Sequence, residues 1–116
     1  LGHLNEMCKN SDVSAVIEFN KVPIMEGVFE LAQNGVIPGG TKKNLKFVED
    51  EIDFADVLAD YQKLMLADAQ TSGGLLISIP ADSSNELIER LKENKTLSHE
   101  VIGQVYKKAE KSIYVQ

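Results

Sequence analysis

Thr71-Ser72-Gly73-Gly74 sets two hydroxyls directly ahead of two residues without side chains. In that order, alcohol groups and successive backbone amides can line a concave anion site, and phosphate suits such a lining. Asp68, three residues before Thr71, would repel an anion unless its carboxylate is engaged by an amide, a basic side chain or a metal, so its expected role is to organise the loop. The bland alternative is a tight turn feeding a buried strand. A second stretch, Pro38-Gly39-Gly40-Thr41-Lys42-Lys43-Asn44, offers amides after the glycines, the Thr41 hydroxyl and two ammonium groups. It lacks the Gly-x-x-x-x-Gly-Lys spacing of a Walker loop, so a self-contained nucleotide site is not expected, and its plain reading is a helix-entry loop with solvated lysines.

Other reactive side chains are sparse. Cys8 falls on the apolar side of a helical pattern, where a thiol acts as a small buried hydrophobe. A nucleophilic role would need a base and a lowered pKa, and beyond His3 the only other histidine is His99, far along the chain. No catalytic residue is therefore expected within the chain. No Cys or His cluster has zinc spacing, so no metal site is expected either.

The elements that must position these loops follow from periodicity. Leu1, Leu4, Met7 and Cys8 mark one helix face with no capping residue ahead of it, which reads as a first helix truncated at its N-terminus. Val13, Ala15, Ile17 and Phe19 alternate as in a half-buried strand. A helix follows Pro23, with Ile24, Val28, Leu31 and Ala32 on one face and Asn34-Gly35 as a left-handed stop. Thr41 is expected to cap a short helix over Asn44–Val48 that ends in the acidic Glu49-Asp50-Glu51 run. Phe54, Val57, Leu58, Tyr61, Met65 and Leu66 have helical spacing. Leu75–Ile79, closed by Pro80, reads as a central strand. Ser83 and Glu86 match a capping box for a helix running to Glu93. Val101–Val105 and Ser112–Val115 read as a closing hairpin around the charged Lys107–Lys111 turn.

These elements make an α+β domain, a mixed sheet with helices packed on it, over residues 1–116. A chain of 116 residues with 43% apolar and 26% charged residues has the size and composition of one ordinary globular core. The net charge of −6 and scattered lysines lack the footprint of a nucleic-acid binder. No apolar stretch approaches the roughly 20 residues of a membrane span, and no secretory leader is visible, so a cytoplasmic location is expected.

Four segments in order, Leu1-Gly2-His3-Leu4 with Glu6-Met7, Val36-Ile37-Pro38-Gly39-Gly40-Thr41 with Asn44-Leu45, Leu66-Ala67-Asp68-Ala69-Gln70-Thr71-Ser72-Gly73-Gly74-Leu75-Leu76 and Val101-Ile102-Gly103, resemble the C-terminal domain of the selenophosphate synthetase (selenide, water dikinase) family. The Asp-x-Gln-Thr-Ser-Gly-Gly segment is the most specific, and the likeness spans nearly the whole chain. At Ala69 the chain departs from the proline usual in the family, which restores an amide and frees one backbone angle.

The resemblance implies the α/β/α layered, partly ferredoxin-like C-terminal half of the aminoimidazole ribonucleotide synthetase-like superfamily. It implies a domain of a larger two-domain enzyme that makes selenophosphate from selenide, ATP and water, releasing AMP and phosphate. Mg2+ and ATP would belong to the full-length enzyme, with neither held by this chain alone. Its own N-terminal ATP-binding domain would be the partner, full-length copies would pair as homodimers and the fragment would be monomeric and inactive. The phosphate-facing residues would be Gly39, Gly40, Thr41 and Asn44 on one stretch and Asp68, Gln70, Thr71, Ser72, Gly73 and Gly74 on the other. Two competing readings are a non-catalytic anion- or partner-binding module and the matching domain of another superfamily member, such as a thiamine-phosphate kinase or the hydrogenase-maturation dehydratase.

Overall fold

Alternation at Val13, Ala15 and Ile17 produces strand β1 (Val13–Ile17), which lies inside a four-stranded mixed sheet in the computed structural model, a description of residues 1–116. The others are β2 (Ile52–Phe54), β3 (Gly103–Lys107) and β4 (Ile113–Val115), in the order β2-β4-β1-β3. β1 pairs antiparallel with β3 and parallel with β4, and β2 pairs parallel with β4. The register sets Ile113 between Ala15 and Ile52, and Val115 between Ile17 and Phe54. These apolar residues share one face because side chains alternate across a strand.

That face is covered by helix α1 (Gly2–Asn10), through Leu4 and Cys8, and by the end of α3 (Gly39–Val48), through Val48. Ten buried residues form this core, among them Phe19, Leu58, Ile113 and Val115. At about 1.5–3 kcal/mol for each large aliphatic side chain removed from water, it is the main source of stability. Two buried alcohols are satisfied rather than orphaned. Ser14 Oγ donates to Lys111 O (2.7 Å) and accepts from Ala109 N–H (2.9 Å), while Ser112 Oγ donates to Glu51 Oε2 (3.2 Å).

Two further helices pack on each other, and the second of them also packs on α3. Helix α2 (Val28–Gln33) ends as Asn34-Gly35 predicts: Gly35 has φ +78°, its N–H bonds Ala32 O (3.0 Å), and Val36 N–H bonds Leu31 O (2.9 Å). This is the Schellman pattern that satisfies the last carbonyls. It begins later than its apolar face suggests, because Gly27 at φ +79° interrupts the chain ahead of Val28. Helix α4 (Asp60–Leu66) is opened by Gln62, whose Oε1 accepts the Ala59 N–H at 2.8 Å. The Phe29 and Tyr61 rings meet edge to face, 5.4 Å apart, joining α2 to α4.

Several expectations need correction. Phe54 belongs to β2, not to a helix reaching Leu66, because its backbone is recruited by Val115 of β4. The acidic run ends α3 with Glu49 and Asp50 exposed, as expected, but its Glu49–Glu51 3₁₀ turn then leads straight into β2. α3 begins at Gly39 with Pro38 as its cap, so Thr41 is in its first turn rather than ahead of it. Helix α5 (Ser84–Glu93) falls where Ser83 and Glu86 place it, yet without the capping box, since Ser83 Oγ bonds Asp82 Oδ1 (3.2 Å) instead. β3 and β4 form no hairpin because β1 lies between them. Leu75–Ile79 is not a strand, and its four large side chains are exposed. No helix is long and apolar enough to cross a membrane.

Candidate functional site

α3 starts on two glycines, so its first amides are approached by no side chain of their own residues. An added Cβ on Gly39 or Gly40 would meet nothing within 4 Å, and the surface in front of these amides is therefore open. The first N–H groups of a helix lack partners within it and carry the positive end of its dipole. Pro38 closes the turn by accepting Thr41 N–H at 3.1 Å. Lys42 and Lys43 are exposed beside it.

Thr41 turns inward and is 1% exposed, and its Oγ1 donates to Asp68 Oδ1 at 2.5 Å. One turn later, Asn44 Nδ2 donates to Ala67 O at 3.2 Å, and the Leu1 nitrogen donates to Leu66 O at 3.0 Å. The last turn of α4 thus releases carbonyls that its own helix cannot use, and α3 and α1 supply the donors. The Thr41 and Asn44 bonds bring the Gly39–Asn44 stretch against Asp68, across a sequence separation of 27 for the Thr41 pair. A hydrogen bond to a carboxylate is short and about twice as strong as a neutral one, so it fixes the start of the following loop.

Beyond Asp68 the loop runs out into solvent, and Gln70, Thr71, Ser72, Gly73 and Gly74 are all exposed. Ser72 is held at φ +57°, a left-handed conformation unusual for a residue with a side chain. The Gln70 side chain folds back over Gly73, where a Cβ would fall 2.9 Å from Gln70 Oε1, the movable end of an exposed side chain. Gly74 has open space on its side-chain face. The structure therefore joins the Gly39–Asn44 stretch to Asp68, through Thr41, and leaves Thr71 and Ser72 exposed on the loop that follows.

The junction is a rim, not an enclosed pocket. Two surface depressions, about 240 and 290 Å³, are lined by Ile79, Ser83, Glu86, Leu87 and Arg90 and by Pro23, Ile24, Met25, Leu97 and Ser98, none of them rim residues. Asp68 is the rim's one carboxylate, and no three His, Cys, Asp or Glu side chains cluster for a metal. These residues do not by themselves fit a magnesium site, which takes an octahedron of oxygens.

Two contributors to the rim, the carbonyls of Leu66 and Ala67, went unnoticed in the sequence because they carry no side-chain signal at all. Apart from the rim, Asn5, a polar residue within the Leu1, Leu4, Cys8 stripe, is 6% exposed with Oδ1 unpartnered. Cys8, 1% exposed, has its thiol pushed up in pKa by burial, which keeps it protonated and unreactive.

Comparison with known proteins gives a consistent answer. The selenide, water dikinase of Aliarcobacter butzleri (strain RM4018) is 41% identical over 115 residues, covering 99% of this chain and 33% of the relative. That of Clostridioides difficile (strain 630) is 43% identical over 115 residues with the same coverage, and that of Treponema denticola (strain ATCC 35405) is 43% identical over 119 residues, again 99% and 33%. The chain spans about a third of the length of these curated relatives. The family model described as AIR synthase related protein, C-terminal domain, matches residues 1–116. A match over that whole length, on a mixed sheet with five helices, means that the chain belongs to the AIR synthase related protein C-terminal domain family.

Proposed function

We propose that this chain is the C-terminal domain of a selenide, water dikinase and forms one wall of its phosphoryl-transfer cleft. The observation that carries the reading is the Thr41 Oγ1 to Asp68 Oδ1 bond, which brings the two glycine-and-hydroxyl stretches into one rim. Phosphoryl transfer depends mainly on positioning and on stabilising charge at the phosphoryl oxygens, and oriented backbone amides supply both. The open amides of Gly39 and Gly40 are directed at an anion by the start of α3, with Lys42 and Lys43 adding positive charge nearby. Asp68, occupied by Thr41, acts as an organiser: it holds the base of the Gln70–Gly74 loop, on which Thr71 and Ser72 are exposed.

In this reading ATP, Mg2+ and the selenium nucleophile are held chiefly by an N-terminal ATP-binding domain, and residues 1–116 are one domain of the larger enzyme. Mg2+, when bound there, neutralises phosphate charge. This chain's part is to present donors, exclude water from one side and keep the rim in register. The names of the relatives, and the third of their length that this chain spans, support the reading.

The test uses two preparations. In the full-length enzyme, Asp68→Asn should lower kcat for selenide-dependent ATP turnover by about tenfold or more, since a small displacement of positioning groups is costly. In the 116-residue chain, titration with ATP, phosphate and selenophosphate should give weak amide shifts at Gly39, Gly40 and Thr71–Gly74, and no turnover. Selenide-dependent ATP hydrolysis by this chain alone would overturn the division of labour. Tight, saturable binding of phosphate by the chain alone would favour an anion-binding module instead.

A further inference from the structure

The last carbonyls of α4 find their donors in two different ways. Leu64 O accepts the Ala67 N–H (2.9 Å) and Met65 O the Asp68 N–H (3.3 Å), both from the helix's own continuation. Leu66 O and Ala67 O are reached from other elements: the Leu1 nitrogen donates to the first at 3.0 Å and Asn44 Nδ2 to the second at 3.2 Å. Asp68 then takes the Thr41 hydroxyl. Three consecutive residues are thus held in turn by α1, α3 and α3 again. We infer that Asn44, which the resemblance counts as phosphate-facing, is a positioning residue instead: with Thr41 it clamps the end of α4, so that the base of the Gln70–Gly74 loop and the start of α1 form one rigid body.

The valences of the carboxamide carry the argument. Asn44 follows Thr41 by one turn of α3, and residues three apart share a helix face, so two donors on one face meet two successive residues, Ala67 and Asp68. A carboxamide has two N–H donors and one carbonyl acceptor, whereas phosphate oxygens accept. Asn44 Oδ1 therefore has nothing to offer a phosphate, and one N–H is already spent on Ala67 O. Ala67 is 4% exposed, and a carbonyl in such a setting is costly to leave without a donor. The amide is committed to the chain before any ligand arrives. At the other bond, Leu1 is the N-cap of α1 and its carbonyl takes the Asn5 N–H at 2.9 Å, so the hold on Leu66 passes directly into a helix that sends Leu4 and Cys8 into the core. In the proposed dikinase the ATP-binding half precedes Leu1, and the clamp then ties the entry of that half to the loop that faces it. This last step and any effect on turnover rest on the dikinase reading, whereas the clamp itself does not.

The experiment compares the full-length enzyme with its Asn44→Ala variant, first without nucleotide and then in turnover. Asn44 is exposed and alanine is the better helix former, so the fold survives the change. In the nucleotide-free protein the Ala67 and Asp68 amides should exchange about tenfold faster, and the amide signals of Leu1 and of Ala69–Gly74 should shift. Selenide-dependent kcat should fall about tenfold while KM for ATP stays within about twofold, the split expected when positioning rather than binding is lost. A ligand role gives the reverse: KM for ATP rises about tenfold, kcat holds, and the nucleotide-free loop signals stay in place, which overturns the proposal. Unchanged exchange at Ala67 and Asp68 overturns it whatever the kinetics show. Faster exchange and shifted loop signals with unaltered kcat uphold the clamp and count against the dikinase reading of the loop. A Leu1 signal that alone stays unmoved overturns the coupling to α1.

Discussion

All 16 buried residues lie in residues 1–67 or 112–116, and none lies in 68–111. One region is a packed half-domain whose sheet is closed by the last few residues of the chain. The other holds a full helix and an apolar run that contribute almost nothing to the core. Asp68 is the residue after Ala67, the last buried position before the exposed region begins. The candidate site thus sits on the seam, with its α3 side built on the core and its loop side free to move against it. Loops carry function when a rigid scaffold positions them, and here the scaffold ends one residue before the loop starts.

The sharpest way to break this comparison is to cut equal side chains from both regions. Ile113 is fully buried and paired with both Ala15 and Ile52. Ile113→Ala should cost about 3–5 kcal/mol in urea unfolding and leave little folded protein at physiological temperature. Leu87→Ala in α5 should cost less than about 1 kcal/mol, in keeping with a half-exposed site. Equal losses at the two positions would mean that the two regions share one core.

Next in size is the seam itself. Thr41→Val keeps the shape of the buried side chain and deletes the donor to Asp68. A hydrogen bond to a charged group contributes roughly 1.5–3 kcal/mol, reduced here because Asp68 can turn to water, so a loss of about 1–2 kcal/mol is expected. In the full-length dikinase proposed above, Thr41→Ser should restore what Thr41→Val removes. Loop amide shifts confined to residues 68–74 would separate loss of positioning from general destabilisation.

Much of the packed region was legible in the sequence, and the reasons differ by element. β1 shows alternation, and Gly35 announces its left-handed stop, because both depend on local chemistry. β2 escaped notice because three residues are too few for a period, and because Phe54 also fits the helical spacing that follows it. The sheet order could not be read: β3 and β4 adjoin in sequence, but β1 separates them in space. At the site, the two glycine stretches were visible as residue types. The Thr41 bond that joins them was not, since nothing local specifies a partner so far along the chain. Leu75–Ile79 has the composition of a buried strand, yet it lies outside the sheet with its large side chains exposed, because composition alone supplies no pairing partner.

A smaller effect tests how the packed region is tied together in acid. Glu51 Oε1 is 2.7 Å from Lys9 Nζ, and Oε2 accepts from Ser112 Oγ. The hydrogen bond to Lys9 is the main reason its carboxyl titrates below the usual 4.5. A lowered pKa means that the unfolded state takes up the proton first. The contribution is therefore complete above about pH 4.5 and fades as pH falls through the lower, folded value. Glu51→Gln should flatten that part of the Tm profile between about pH 5 and 3, with a small loss of Tm at pH 7 that vanishes toward pH 3, small because the pair is partly exposed.

The mildest expected effect lies at the end of α5 and measures how independent the exposed region is. Lys95 N–H bonds Lys92 O (2.9 Å) and Thr96 N–H bonds Leu91 O (3.1 Å), the same closing pattern that Gly35 gives α2, yet here a lysine stands at φ +54°. A side chain in that conformation costs about 1 kcal/mol relative to glycine. Lys95→Gly relieves it but also loosens the unfolded chain, so a net gain of about 0.5 kcal/mol is expected for α5. If α5 opens on its own, that gain slows exchange of its own amides and leaves the urea midpoint of the core unchanged. If both move together, α5 is cooperative with the sheet even though it buries no residue, and the seam at Asp68 is not a boundary between two units of stability.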